Sequence, residues 1–324
     1  MKFLKLLAPV IFCCSWISVN AGPTPATQNE ISKFKTELVD KFKFKAGEVE
    51  KVLKQAHYNE TIIKTMNAPY EEKSYSDYRK LFLTPQRISE GKEFLIKHNS
   101  YLDKVAKQYG VSPEIIVAII GVESNYGKNK TQFSTLDSLY TLSFFYPKRA
   151  NFFRYELAQF LLLCRELKLD PTSIKGSYAG ALGIPQFMPS SYRHFARTTS
   201  TQHNPNLFDD KYDAMTSIGN YLRHFGWIKD EQPAIKANLA KRNGSRIEYN
   251  KIYSVKDLDS KGITAETKIS PQQKVRLIQV DQDTNTPSTW LGLGNFDVIK
   301  KYNKSDLYVL AVTELASLLS EKKA

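Results

Sequence analysis

Residues 115–122 read Ile-Ile-Val-Ala-Ile-Ile-Gly-Val, with no polar side chain on any face. A helix of this composition has no side to show to water, so other elements must wrap it completely. Ser112-Pro113-Glu114 opens it, with proline in the first turn, and Gly127 offers the stop. A chain of 324 residues is long enough to supply that wrapping and bury a core.

The wrapping is expected to be mostly helical. Thr27 and Glu30 have the form of a capping box, and Ile31, Phe34, Leu38 and Phe42 follow at helical spacing. A second amphipathic stretch runs from about 46 to 58. Thr84-Pro85 predicts a long helix striped by Ile88, Leu95, Leu102, Val105 and Tyr109, with Gly110 ending it. Further helices are expected at about 150–169, 189–197, 211–225 and 305–321, with Gly226 as a stop and Ser305 as a cap. Between about 228 and 300 turn residues cluster, and the segments 274–280 and 295–300 look like strands. The fold class is therefore mainly α (α+β), with a small β-rich insertion and no internal repeat.

The chain begins differently. Lys2 and Lys5 precede an apolar run from Leu6 to Val19, and Val19-Asn20-Ala21 offers small residues for cleavage. Residues 1–21 thus read as a secretory signal peptide, too short for a spanning helix. A formal net charge of +13 favours anionic partners, but the export signal and the scattered lysines argue against nucleic acid. Of three cysteines, Cys13 and Cys14 lie in the signal, so the mature chain has no intramolecular disulfide. Cys164, within an apolar helical run, reads as a core filler. Phe12 before Cys13 is too large for a lipid-acceptor site, so cleavage after Ala21 is favoured over lipid anchoring.

Glu123 stands out. It sits at the end of the apolar helix, where the negative end of the dipole and the loss of water both favour a neutral carboxyl. A carboxylic acid kept protonated near neutrality can protonate a leaving oxygen. On local sequence alone, a structural glutamate bonded to backbone or a lysine explains it equally well. A second segment, residues 176–192, holds three glycines, two prolines and the amide of Gln186 among apolar neighbours. It would suit the wall of a sugar groove, although by itself it reads first as a tight helix connection.

Glu123-Ser-Asn-Tyr-Gly127 and Gly183-Ile-Pro-Gln-Phe-Met-Pro-Ser-Ser-Tyr192 resemble the paired motifs of the membrane-bound lytic murein transglycosylase B family. So do Tyr78-Arg-Lys-Leu-Phe-Leu-Thr-Pro85, Phe144-Phe-Tyr-Pro-Lys-Arg-Ala150, Asn295-Phe296 and Tyr302-Asn-Lys-Ser-Asp-Leu-Tyr308. The likeness runs in order along nearly the whole mature chain.

The resemblance implies a lysozyme-like helical core (residues 101–227) with an N-terminal helical subdomain (22–100). It also implies a small β-rich domain (228–300) and a C-terminal helix returning to the core (301–324). It implies periplasmic cleavage of the β-1,4 bond between N-acetylmuramic acid and N-acetylglucosamine, leaving 1,6-anhydromuramic acid ends. Glu123 corresponds to the catalytic acid. Tyr78, Ser177, Gln186, Phe187, Tyr302, Asn303 and Tyr308 correspond to the groove; without the resemblance Tyr78 and Tyr308 read as core packing. Peptidoglycan glycan strands are the implied partner, with cell-wall synthesis or remodelling proteins as further candidates, and the chain is expected to act as a monomer.

One departure concerns metal. Some members carry a calcium loop after the Ser-Ser-Tyr segment, but residues 197–210 lack the spaced acidic ligands and the turn glycine. No metal and no cofactor is therefore expected, and His203 is a lone histidine in a polar loop. The rivals are a muramidase that uses water and a wall-binding protein of the same fold without activity.

Overall fold

The structure, a computed structural model, describes residues 24–67, 74–129, 131–200, 203–240, 247–281 and 287–321. The segment read as a signal peptide lies outside them. Helices dominate. The first five are α1 (Pro25–Asp40), α2 (Ala46–Leu53), α3 (Glu60–Met66), α4 (Tyr75–Phe82) and α5 (Pro85–Tyr109). They are followed by α6 (Pro113–Ser124), α7 (Thr135–Phe145), α8 (Ala150–Leu167), α9 (Pro189–Phe195) and α10 (Lys211–His224). After these come α11 (Val255–Ser260), α12 (Gly294–Tyr302) and α13 (Asp306–Ser320).

The apolar helix α6 lies at the centre, with every residue from Ile115 to Val122 buried. It is wrapped by α5, α10 and α13, so the end of the chain returns to pack on its middle. Burying one large aliphatic side chain contributes roughly 1.5–3 kcal/mol, which makes this wrapping a main source of core stability. Thr84 caps α5 by accepting the Arg87 N–H, and Gly110 ends it in the left-handed conformation, as the sequence predicts. Residue 100, the sequence's division between subdomain and core, lies inside this continuous helix.

Two strands, β1 (Phe133–Ser134) and β2 (Lys175–Gly176), pair as a small ribbon. The remaining strands are β3 (Ala234–Leu239), β4 (Ile252–Ser254), β5 (Ile263–Ala265), β6 (Lys274–Asp281) and β7 (Pro287–Gly292). They form one antiparallel sheet in the order β4-β6-β7-β3-β5. Alternation divides its residues between two faces. Val275, Leu277, Leu291 and Ile235 join a small cluster with Val255 and Leu258 of α11. Ile278, Val280 and Trp290 join the helical core instead.

Several expected boundaries move. The Thr27–Glu30 capping box is not used: α1 begins at Pro25, and Thr24 caps it by accepting the Thr27 N–H. Proline at the first turn suits that earlier start. The stretch drawn to 58 ends at Leu53, and Asn59 then caps α3. The segment 295–300, expected as a strand, lies within α12. Asn295, Phe296, Val298 and Ile299 are its buried residues, a three-and-four spacing that fits a helix and not a sheet.

Candidate active site

In α6 the residues from Ile115 to Ser124 are buried except Glu123, which keeps partial access to the surface. The helix stops immediately beyond it, with Asn125, Tyr126 and Gly127 all at positive φ. Asn125 N–H returns to the Gly121 carbonyl and Tyr126 N–H to that of Ile120. Ser124 Oγ donates to the Ile120 carbonyl and accepts the Gly127 N–H. These bonds fix the turn that presents the acid.

Against Glu123 stands Tyr308, in the first turn of α13, whose hydroxyl donates to Glu123 Oε1 at 2.7 Å. Burial pushes the Glu123 carboxyl up to about 7, and the Tyr308 hydrogen bond pulls the other way without overcoming it. No charged neighbour enters that balance among the described residues. The Tyr302 ring stacks on Tyr308 at 6.4 Å between centroids, nearly parallel at 11°. Burial and the nearby Glu123 carboxylate hold both phenols well above their ordinary range, so they stay protonated donors.

The glycine-rich segment closes the next side. Leu182 and Phe187 exchange backbone hydrogen bonds, which folds residues 183–186 into a tight loop. Gly183 takes φ +68, and a Cβ there would lie 2.2 Å from the Leu207 carbonyl oxygen. Only glycine fits. Gln186 is itself left-handed, and its Nε2 donates to the Gly183 carbonyl at 2.7 Å, while its side-chain oxygen has no hydrogen bond among the described residues. Phe187 packs at 5.6 Å from the Tyr302 ring, and the Tyr302 hydroxyl donates to the Pro185 carbonyl. Glu123, Tyr308, Tyr302, Phe187 and the Gln186 loop thus form one continuous chain of contacts.

The other sequence-predicted residues take different places. Tyr78 is buried on α4, 4.7 Å from the Phe82 ring, and close enough to Tyr308 to affect its ionisation. Ser177 Oγ accepts from the Ala179 and Ala181 N–H groups, so its lone pairs serve its own loop. Asn303 Oδ1 accepts the Ser305 N–H between α12 and α13.

The sequence reading missed Glu156, a buried carboxylate on α8. It accepts both the N–H and the hydroxyl of Ser190 and so ties α9 to α8. Burial raises its carboxyl as well. Its signal was the one that marks Glu123, an acid set in a helix between apolar neighbours. Asn295 was quoted only as a motif residue, yet its amide bonds to the backbone of Ile228 and Glu231 and pins the entry to the sheet.

Volume alone does not find the site. A cavity of about 820 Å³ opens at the opposite end of α6, among Trp227, Lys236, Trp290 and Glu314. In and just after the segment 197–210, two of the three acidic side chains serve the backbone. Asp210 caps α10 through the Tyr212 and Asp213 N–H groups, and Asp213 accepts from the Asn206 N–H. Among the described residues no group of three or more His, Cys, Asp or Glu side chains could hold a metal ion.

Comparison with known proteins gives a consistent pattern. Residues 26–317 match the family described as the transglycosylase SLT domain. The membrane-bound lytic murein transglycosylase B of Escherichia coli (strain K12) is 35% identical over 305 residues, covering 91% of this chain and 84% of that one. The E. coli lytic transglycosylase SLT35 in complex with calcium superposes with a TM-score of 0.82 at 36% identity, covering 90% of this chain and 92% of that one. Soluble lytic transglycosylase SltB1 from Pseudomonas aeruginosa gives 0.82 at 35% identity, covering 90% and 98%.

Proposed function

From the premise that this chain belongs to the SLT-domain transglycosylase family and is a peptidoglycan lytic transglycosylase, we propose that Glu123 is its acid and its base. As acid, Glu123 protonates the glycosidic oxygen while positive charge builds at the muramoyl carbon. As base, it then takes the proton from the sugar's own 6-hydroxyl, which closes onto that carbon and gives the 1,6-anhydro end. One group serves both steps when its two protonation states lie close in energy. A carboxyl titrating near 7 meets that condition.

The observation that carries this reading is the Glu123–Tyr308 pair. Burial favours the acid form before bond cleavage, and the phenol hydrogen bond steadies the carboxylate afterwards. No second carboxylate is needed, unlike the usual two-carboxylate hydrolases. The buried Glu156 has both oxygens engaged with Ser190.

The glycan strand lies across Glu123, with Tyr78, Ser177, Gln186, Phe187, Tyr302, Asn303 and Tyr308 as its groove. The Gln186 side-chain oxygen is suited to an amide or hydroxyl donor of the sugar. The division into helical subdomain, core and β-rich domain belongs to the same proposal, as does export to the periplasm by residues 1–21. The E. coli relative is called membrane-bound, and a lipid anchor remains the alternative to free release here.

Replacing Glu123 tests the assignment. Glu123→Gln keeps the shape and removes the transferable proton, so turnover on peptidoglycan should fall by about 10²–10⁴-fold with the fold and binding retained. Near-normal turnover by the folded variant would place the acid elsewhere.

A further inference from the structure

Glu123 is held by a turn that the backbone does not favour. Asn125 and Tyr126 sit at φ +49 and +61, a region that asparagine tolerates as a helix cap but tyrosine rarely adopts. Something must over-determine the turn, and the contacts of Tyr126 do. Its ring is 2% exposed, and its hydroxyl donates to the Arg87 carbonyl in α5 at 2.7 Å. Two glycines make room for it. A Cβ at Gly121 would lie 2.8 Å from the ring, and one at Gly91 would lie 2.4 Å from the hydroxyl oxygen. Phe94 closes a further side, with its ring 5.8 Å away.

We propose that Tyr126 is a positioning residue: it pins the end of α6 to α5 and so sets where Glu123 stands relative to Tyr308. The link is mechanical. Tyr126 N–H closes the helix end on Ile120, three residues before the acid, while its hydroxyl fixes the same turn to α5. The ionisable groups on the two sides are separate. Glu123 interacts with Tyr308 of α13 and Tyr302 of α12, whereas Tyr126 interacts with Arg87 and Glu90 of α5. Tyr126 therefore acts on the acid through geometry and not through charge. The inference rests on Glu123 being the acid.

The test uses Tyr126→Phe, Gly91→Ala and the double variant, with Glu123→Gln as the reference, assayed per folded molecule on soluble glycan oligomers. Tyr126→Phe keeps the ring and loses only the hydroxyl bond. Gly91→Ala attacks the same contact from the other helix, its Cβ falling 2.4 Å from the Tyr126 hydroxyl and also 2.5 Å from Leu319. Each single variant should lower kcat by about ten- to a hundredfold with KM within about twofold, the cost of a small misplacement of a reacting group. The alkaline limb of the rate profile should move to lower pH, because a loosened helix end admits water to the carboxyl. The double variant should be little worse than Gly91→Ala alone, since the Tyr126 hydroxyl contact is already broken there. A folded Tyr126→Phe that melts earlier yet keeps its kcat and its pH limb would reduce Tyr126 to packing and overturn the proposal, as would full additivity. Turnover by Glu123→Gln is a different failure: it removes the acid assignment, and this inference with it.

Discussion

At the residue scale, Glu123 breaks two preferences of helix chemistry at once, being an acid at a C-terminal end and a carboxyl largely shielded from water. The fold bears a stability cost for that. Folded, the carboxyl titrates at about 7, whereas its ordinary value is 4.5, so the native state binds this proton more tightly than the unfolded chain. The stabilising contribution is therefore fully present below about 4.5 and is lost as pH rises through about 7. The loss amounts to roughly 3 kcal/mol. Glu123→Gln removes the titration, so it should match the parent at about pH 4 and exceed it by up to about 3 kcal/mol at about pH 8. Denaturant titration at the two pH values measures this directly. Equal stability differences at both would mean that the carboxyl is fully hydrated. This much was legible in the sequence, because the acid contradicts its own surroundings. Its partner was not: Tyr308 lies 185 residues away, and nothing local says that the two meet.

At the element scale, legibility followed the strength of the pattern. The helices α5 and α6 carry an unmistakable apolar pattern and lie where they were expected, except that α6 ends at Ser124 with Asn125, and not Gly127, as its left-handed cap. α7 was passed over because Thr135, Ser138, Thr141 and Ser143 are buried beside its leucines, so no apolar stripe shows. α12 was misread because its short apolar run fits both periods until its packing is known. The loop before α10 gives a prediction at this scale. Asp210 and Asp213 accept backbone N–H groups, which leaves Asp209 as the one further carboxylate there, where calcium needs several anionic oxygens. The melting temperature should be the same in chelator and in millimolar calcium, although the E. coli relative was determined with that ion. A clear rise with calcium would show that the loop rearranges into a site.

At the scale of the whole molecule, the proposed groove draws on parts of the chain that only the complete fold brings together. Of the residues proposed for it, Glu123 comes from α6, Tyr308 and Tyr302 from α13 and α12, Gln186 and Phe187 from the 183–187 loop, and the buried Tyr78 from α4. The sequence named these residues through the resemblance of ordered motifs; the contacts among them come from the packing of α13 on α6. The central claim is that one carboxyl acts twice and that the second proton comes from the sugar. The tethered 6-hydroxyl has the advantage of proximity, since well-oriented intramolecular groups reach effective molarities of about 10⁵–10⁸ M. Mass spectrometry of a peptidoglycan digest, with half of it treated with borohydride, measures the outcome. The account predicts muramoyl ends lighter by one water than hydrolysis products and inert to hydride. Ends that take up hydride would show that water was the nucleophile, and would contradict it.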